Sequence, residues 1–254
     1  MAWTQTVAFT SWLVFFVVSG HPFAVPRETW PAIAASTILV TGMGGLLARA
    51  SARGDISVVG PVFALSPIFT VVPDAVLSGT LPSPLGWLGL ALAVAGTVNL
   101  SGGAAGATLH AVFTRRDARD ALGAAIILGF LASVDRWGAR SLGAPTYLVC
   151  SHGSTALLTL AIVLVRAPRA LAASFAPRAV ATVVTHGLLG VTGTAMQTNA
   201  LTMAPAAYVN AIRRMSAVLA VVLGRALFGE ADLGRRLLAA LLACLGAACL
   251  LFAR

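Results

Sequence analysis

The chain has 254 residues, 58% of them hydrophobic and 10% charged, with a mean hydropathy of +0.91 and a formal charge of +9. A soluble domain carries about 25% charged residues, so this composition excludes a soluble globular protein and leaves little chain for a soluble domain. All the positive charge is arginine, placed mostly in short loops between apolar runs, which points to orientation in a bilayer and not to nucleic acid.

In chain order the apolar runs are Ala2–Ser19, Trp30–Ala50, Ile56–Leu77, Pro84–Leu100, Ala121–Leu142, Thr146–Val165, Ala179–Met203, Ala206–Phe228 and Leu233–Phe252. A bilayer core takes about 20 helical residues, with roughly 17–25 accepted, and all nine runs fit. Strict alternation over short stretches, the mark of membrane strands, is not seen. The expectation is an all-α polytopic membrane protein with nine transmembrane helices. Breakers separate the runs, among them Pro26, Gly54, Pro84, Pro145, Pro168, Pro177 and Pro205. No arginine precedes the first run, so it reads poorly as a cleaved signal peptide. Cys150, Cys244 and Cys249 lie in apolar segments without metal spacing and read as small packing residues; no metal or cofactor is expected.

The chain repeats itself. Shifted by 150 positions, Val59 meets Val209, Ser66 meets Ser216, Gly79 meets Gly229, Ala93 meets Ala243 and Gly96 meets Gly246, without a gap. Five runs separate the third from the eighth. Five is odd, so the twins are expected to cross in opposite directions, as inverted repeats do. The domains expected are residues 1–103 (four helices), a linker loop at 104–120, and residues 121–254 (five helices). The fifth run has its twin before residue 1, so the first repeat is expected to show four helices here, either because its first helix is absent or because an N-terminal piece precedes Met1.

These residues resemble the EamA-like branch of the drug/metabolite transporter superfamily. The resemblance is carried by NALTMAPAAYVNAIRRMSAVLAVVLGRALFGE (Asn199–Glu230) and by ISVVGPVFALSPIFTVV (Ile56–Val72) in the first repeat. It implies ten helices in two inverted five-helix repeats around a substrate cavity, and transport of small metabolites, amino acids or drugs by exchange or ion coupling. Here the first helix of the ten is missing, and Thr80 stands where the second repeat has Glu230.

Polar residues inside apolar runs are the site candidates, because charge within a bilayer costs several kcal/mol, roughly 2.5–3.5 on insertion scales, unless it is partnered. Counting about 1.5 Å per residue from the run ends puts Asp74, Asp135, Arg136, His152, Gln197, Asn210, Arg213 and Arg214 in one layer near the face where the first run ends. Asp135 is expected to pair with Arg213 or Arg214, structurally or in substrate or proton coupling. His152 reads as a hydrogen-bonded helix residue or a proton relay. Arg136 and Arg140 are expected to snorkel. Ser66 and Ser216 are twins near mid-helix, either substrate contacts or small packing residues. Pro61, Pro67 and Pro73 predict a kinked or broken third helix. Gly187, Gly190 and Gly193 predict a smooth face for close contact.

Loop arginines, including Arg49, Arg53, Arg115, Arg116 and Arg119, crowd the face where the chain begins. The positive-inside rule makes that face cytoplasmic, whereas the family's usual arrangement of termini makes it external. No G-x-S-x-G, H-E-x-x-H, P-loop or paired catalytic carboxylates occur, so an enzyme is not expected. The function expected is secondary transport of a small solute by alternating access, in a cell membrane and, by the resemblance, the bacterial inner membrane. The alternative is a non-transporting scaffold or a truncated, inactive carrier. Partners are the solute and the bilayer, with a homodimer and a coupled proton or counter-substrate as further options.

Overall fold

A computed structural model describes residues 2–20, 24–54, 56–79, 81–100, 105–168, 177–214 and 233–253. Among these, all regular structure is helical. The helices are α1 (Ala2–Ser19), α2 (Trp30–Arg53), α3 (Ile56–Phe63), α4 (Ser66–Ser78), α5 (Pro84–Leu100) and α6 (Ala105–Thr114). They continue with α7 (Arg116–Leu142), α8 (Ala144–Arg166), α9 (Pro177–Met203), α10 (Ala206–Arg214) and α11 (Leu233–Phe252). A 3-10 turn over Arg27–Thr29 leads into α2. The segments Arg27–Arg53, Arg116–Leu142 and Ala144–Arg166 are long and apolar enough to cross a membrane. The described residues are therefore all-helical in their regular structure, consistent with a membrane protein. The eighth run is described only as far as Arg214, so most of it lies outside the described residues.

The third apolar run is broken, as its prolines predict. Proline has no N–H to give and its ring clashes with the preceding turn. The α-helical bonding is interrupted at Ala64 and Leu65, where the backbone stays right-handed but the bonds tighten: Leu65 N–H reaches the Val62 carbonyl at 3.2 Å and Ile68 N–H the Leu65 carbonyl at 3.0 Å. Pro73 is tolerated inside α4, which ends at Gly79 with a left-handed φ of 66°. A residue with a Cβ is strained in that conformation. Within the linker, Ala105–Thr114 forms α6, its Ala-rich sequence being a good helix former. The Arg115 guanidinium pairs with Asp117 at 2.8 Å at the start of α7.

Two compact units emerge, each drawing on both halves of the chain. The first comprises Met1–Thr41 and Val134–Met203, the second Gly42–Ser133 and Ala204–Arg254. In lipid the apolar effect does not drive helices together; close packing and hydrogen bonds do. The first unit packs Trp12 and Phe16 of α1 on Leu148 and Val149 of α8, with Val191 and Ala195 of α9 against them. Gly153 leaves room for the Phe9 ring, and Gly187 for Val7. The smooth face expected on α9 is realised at Gly187 alone, since Gly190 and Gly193 face open space. In the second unit Ala50 of α2 packs with Ala118 and Ala121 of α7 and with Val59 and Val62 of α3. There α5 and α11 touch through their backbones: Gly246 rests on Gly89 and Ala93, and Gly89 on Gly246, Cys249 and Leu250. Advancing along α5 thus retreats along α11, so the two helices run antiparallel.

Candidate functional site

In the first unit α7 brings Asp135 to α2 and α8. Its Oδ1 accepts hydrogen bonds from Ser36 Oγ at 2.8 Å and from Tyr147 OH at 2.5 Å. A carboxylate is an acceptor only, and two hydroxyl donors on one oxygen suit it. Ser36 and Tyr147 are almost wholly buried, at 2% and 1% exposure, so both hydroxyls need this partner. Gly138, three residues along α7, makes the approach possible: a Cβ there would enter the Tyr147 ring. Asp135 therefore ties three helices together.

One residue along α2 from Ser36, the Thr37 hydroxyl lies 2.6 Å from that of Ser154 on α8. Thr37 also donates to the Ile33 carbonyl at 2.8 Å, and Ser154 to that of Cys150 at 2.7 Å. These hydroxyls form part of an open cleft of about 540 Å³, lined by Trp30, Ile33, Ala34, Thr37, Ile38, Cys150 and Ser154. Ligand pockets are typically about 300–1,000 Å³ and mostly apolar, with a few placed polar groups. His152 lies on α8 with its Nδ1 2.6 Å from Gln5 Oε1 of α1. In the Nδ1–H tautomer the ring donates to the amide and keeps Nε2 as an acceptor. Gln197 is half-buried on α9.

Two arginines of α7 differ. Arg140 is exposed and donates to the Thr202 carbonyl at 3.1 Å. Arg136 is 3% exposed, which corrects the expectation that it snorkels: protein covers it, so its charge is not delivered to a boundary.

In the second unit α4 and α10 cross through polar contacts. Asp74 Oδ2 accepts the Ala206 N–H at 2.8 Å, and one turn back Thr70 Oγ1 accepts from Asn210 Nδ2 at 3.0 Å. Four residues forward on α4 correspond to four residues back on α10, so the two run antiparallel. Asp74 caps the first turn of α10 from another helix, where free N–H groups and the helix dipole favour an anion. Thr70 passes its own proton to the Ser66 carbonyl at 3.0 Å, and Ser66 is fully buried. Asn210 is 1% exposed and its Oδ1 has no partner among the described residues.

The structure thus divides the candidates named from sequence. Asp135, Arg136, His152 and Gln197 belong to the first unit; Ser66, Asp74, Asn210 and Arg213 belong to the second. Arg213 is exposed. The Arg214 side chain and Ser216 lie outside the described residues. Sequence reasoning missed Gln5, Ser36, Thr37, Tyr147 and Ser154. A signal existed for Ser36 and Thr37, adjacent hydroxyls within an apolar run. Asp135, the partner of Ser36, stood out as an acid in an apolar run, but nothing marked Ser154, 117 positions from Thr37, as its partner.

No match was found among curated proteins. Of 26 matching chains of solved structures, one described as "Crystal structure of protein" superposes with a TM-score of 0.78 at 22% identity. The match covers 100% of this chain and 87% of that one, and at such identity it is a likeness of fold. The model of the EamA-like transporter family matches residues 1–102. Transporters of that family are integral membrane proteins and not enzymes, and the match suggests a transporter of the drug/metabolite type. The match over residues 1–102 is consistent with the EamA-like branch of the drug/metabolite transporter superfamily.

Proposed function

We propose that the protein is a secondary transporter that moves a small solute by alternating access between two inverted repeats. A cell membrane is its site of action, with the bacterial inner membrane as the expectation from the resemblance. The observation that carries this reading is the antiparallel contact of α5 with α11, which correspond position by position at a shift of 150. The antiparallel crossing of α4 and α10, parts of the twin third and eighth runs, supports it. Twins that meet head to tail are what a pseudo-twofold axis in the membrane plane requires. The broken third run adds a discontinuous helix, a feature of transporter binding sites. In the first unit, Asp135 with its two hydroxyl donors is the group most suited to solute or proton coupling. A half-buried acid within a span is costly unless it is partnered, which makes Asp135 a candidate for function as well as for holding the helices together.

The test is flux. The purified chain in lipid vesicles should exchange solute from a panel of radiolabelled amino acids, amines and other small metabolites faster than protein-free vesicles. Asp135→Asn, which keeps the shape and removes the charge, should cut that flux at least about tenfold while the protein still folds, since a lost charge-assisted bond is worth roughly 1.5–3 kcal/mol. Unchanged flux in Asp135→Asn removes this residue from the site. No exchange of any solute would favour a scaffold that does not transport.

A further inference from the structure

We propose that the cleft between α2 and α8 is a binding site for an amphipathic amine, seated with its apolar body against Ile33, Ala34, Ile38 and Trp30 and its N–H groups on the Thr37–Ser154 hydroxyl pair. The inference deepens the transporter reading and rests on it for its biological use. Its physical basis is a count of protons. The two hydroxyls own two protons. Three short contacts draw on them: Thr37 to Ile33, Ser154 to Cys150, and one between the hydroxyls. Both protons are therefore spent on the protein, and what the pair can offer a ligand is lone pairs. A ligand that meets this pair must bring donors.

Charge points the same way. No cationic side chain is among the described residues that line the cleft. The carboxylate of Asp135 accepts the Ser36 hydroxyl, and Ser36 is the neighbour of Thr37 on α2. In a low-dielectric site a nearby carboxylate favours a cation over an anion. Arg136, next along α7, is buried and does not line the cleft. The rest of the wall is aliphatic apart from the indole of Trp30 and the thiol of Cys150. Aromatic walls take both alkyl groups and ammonium ions. An amine on an apolar body meets all these surfaces; a carboxylate or phosphate meets no cation among the described lining residues, and side-chain donors only in the Trp30 indole N–H and the weak Cys150 S–H.

Cys150 supplies a reporter, since its thiol lines the cleft. In a Cys244→Ser, Cys249→Ala background, N-ethylmaleimide alkylation of the detergent-solubilised chain reads occupancy at Cys150 directly. The probes are 2-phenylethylamine, its N,N,N-trimethyl derivative, which has no N–H, and 3-phenylpropanoate. The amine is expected to slow alkylation in a saturable manner, the quaternary ion to need about tenfold more for the same effect, and the carboxylate to give no protection. A tenfold difference is what loss of one charged hydrogen bond predicts. Thr37→Val, close to isosteric, and separately Ser154→Ala should each weaken amine protection by about the same factor. Protection by the carboxylate equal to that by the amine would overturn the proposal. So would equal protection by the quaternary ion, or amine protection unchanged in both variants. Because the assay needs no flux, protection in a protein that moves no solute would leave the site standing and remove the carrier. Flux without protection would do the reverse.

Discussion

Asp74 shows what one side chain does for a helix whose start is covered by protein. The first turn of α10 has N–H groups with no partner in its own helix, and Ala206 is fully buried, away from water that could serve them. Asp74 Oδ2 accepts one of them from α4. Asn keeps an acceptor at that place and Ala does not. Asp74→Ala is expected to lower stability by about 1–2 kcal/mol and Asp74→Asn by less than half of that. Thermal unfolding of the two variants in detergent checks it; equal effects would mean that the cap is not what Asp74 contributes. Asp74 could be named from sequence because acids are rare in apolar runs. Its partner, a backbone N–H 132 residues away, could not, since every residue but proline has one.

Helix contacts here depend on residues that lack side chains. At Gly246 a Cβ would meet the backbone N of Ala93 at 2.5 Å, whereas at Gly190 of α9 it would meet nothing within 4 Å. The same substitution should therefore have opposite effects. Gly246→Ala is expected to push α5 and α11 apart and cost about 1–3 kcal/mol. Gly190→Ala should be neutral, or stabilising by up to about 1 kcal/mol, because alanine favours helix. Melting temperatures of the two single variants decide it, and a Gly190→Ala protein as damaged as Gly246→Ala would show that the packing assigned to α5 and α11 is wrong. The break in the third run was legible, because Pro67 and Pro73 act through local backbone chemistry. Which of the glycines at 187, 190 and 193 makes contact was not. Spacing places all three on α9 but says nothing of what approaches it. The burial of Arg136 was hidden for the same reason: depth along a helix can be counted, and the neighbour on each side cannot.

Across the whole molecule, the repeat of 150 positions is the strongest signal in the sequence, and it concerns direction. Helix pairs that cross head to tail are consistent with copies of one unit inserted upside down, the arrangement on which the proposed alternating path for a solute rests. The candidate site was legible only in part. Asp135 and His152 stand out as ionisable groups within apolar runs, but the cleft beside them is made by Thr37, Ser154 and aliphatic residues that composition cannot separate from packing. The central claim is one of orientation, and membrane-sidedness labelling tests it most directly. Single cysteines replacing Ser83, just before α5, and Leu233, its twin at the start of α11, are placed in an otherwise cysteine-free chain in sealed vesicles. An impermeant maleimide should label one of them only from outside and the other only after the vesicles are opened. Labelling of both from the same side would contradict the inverted repeat and, with it, the carrier built upon it.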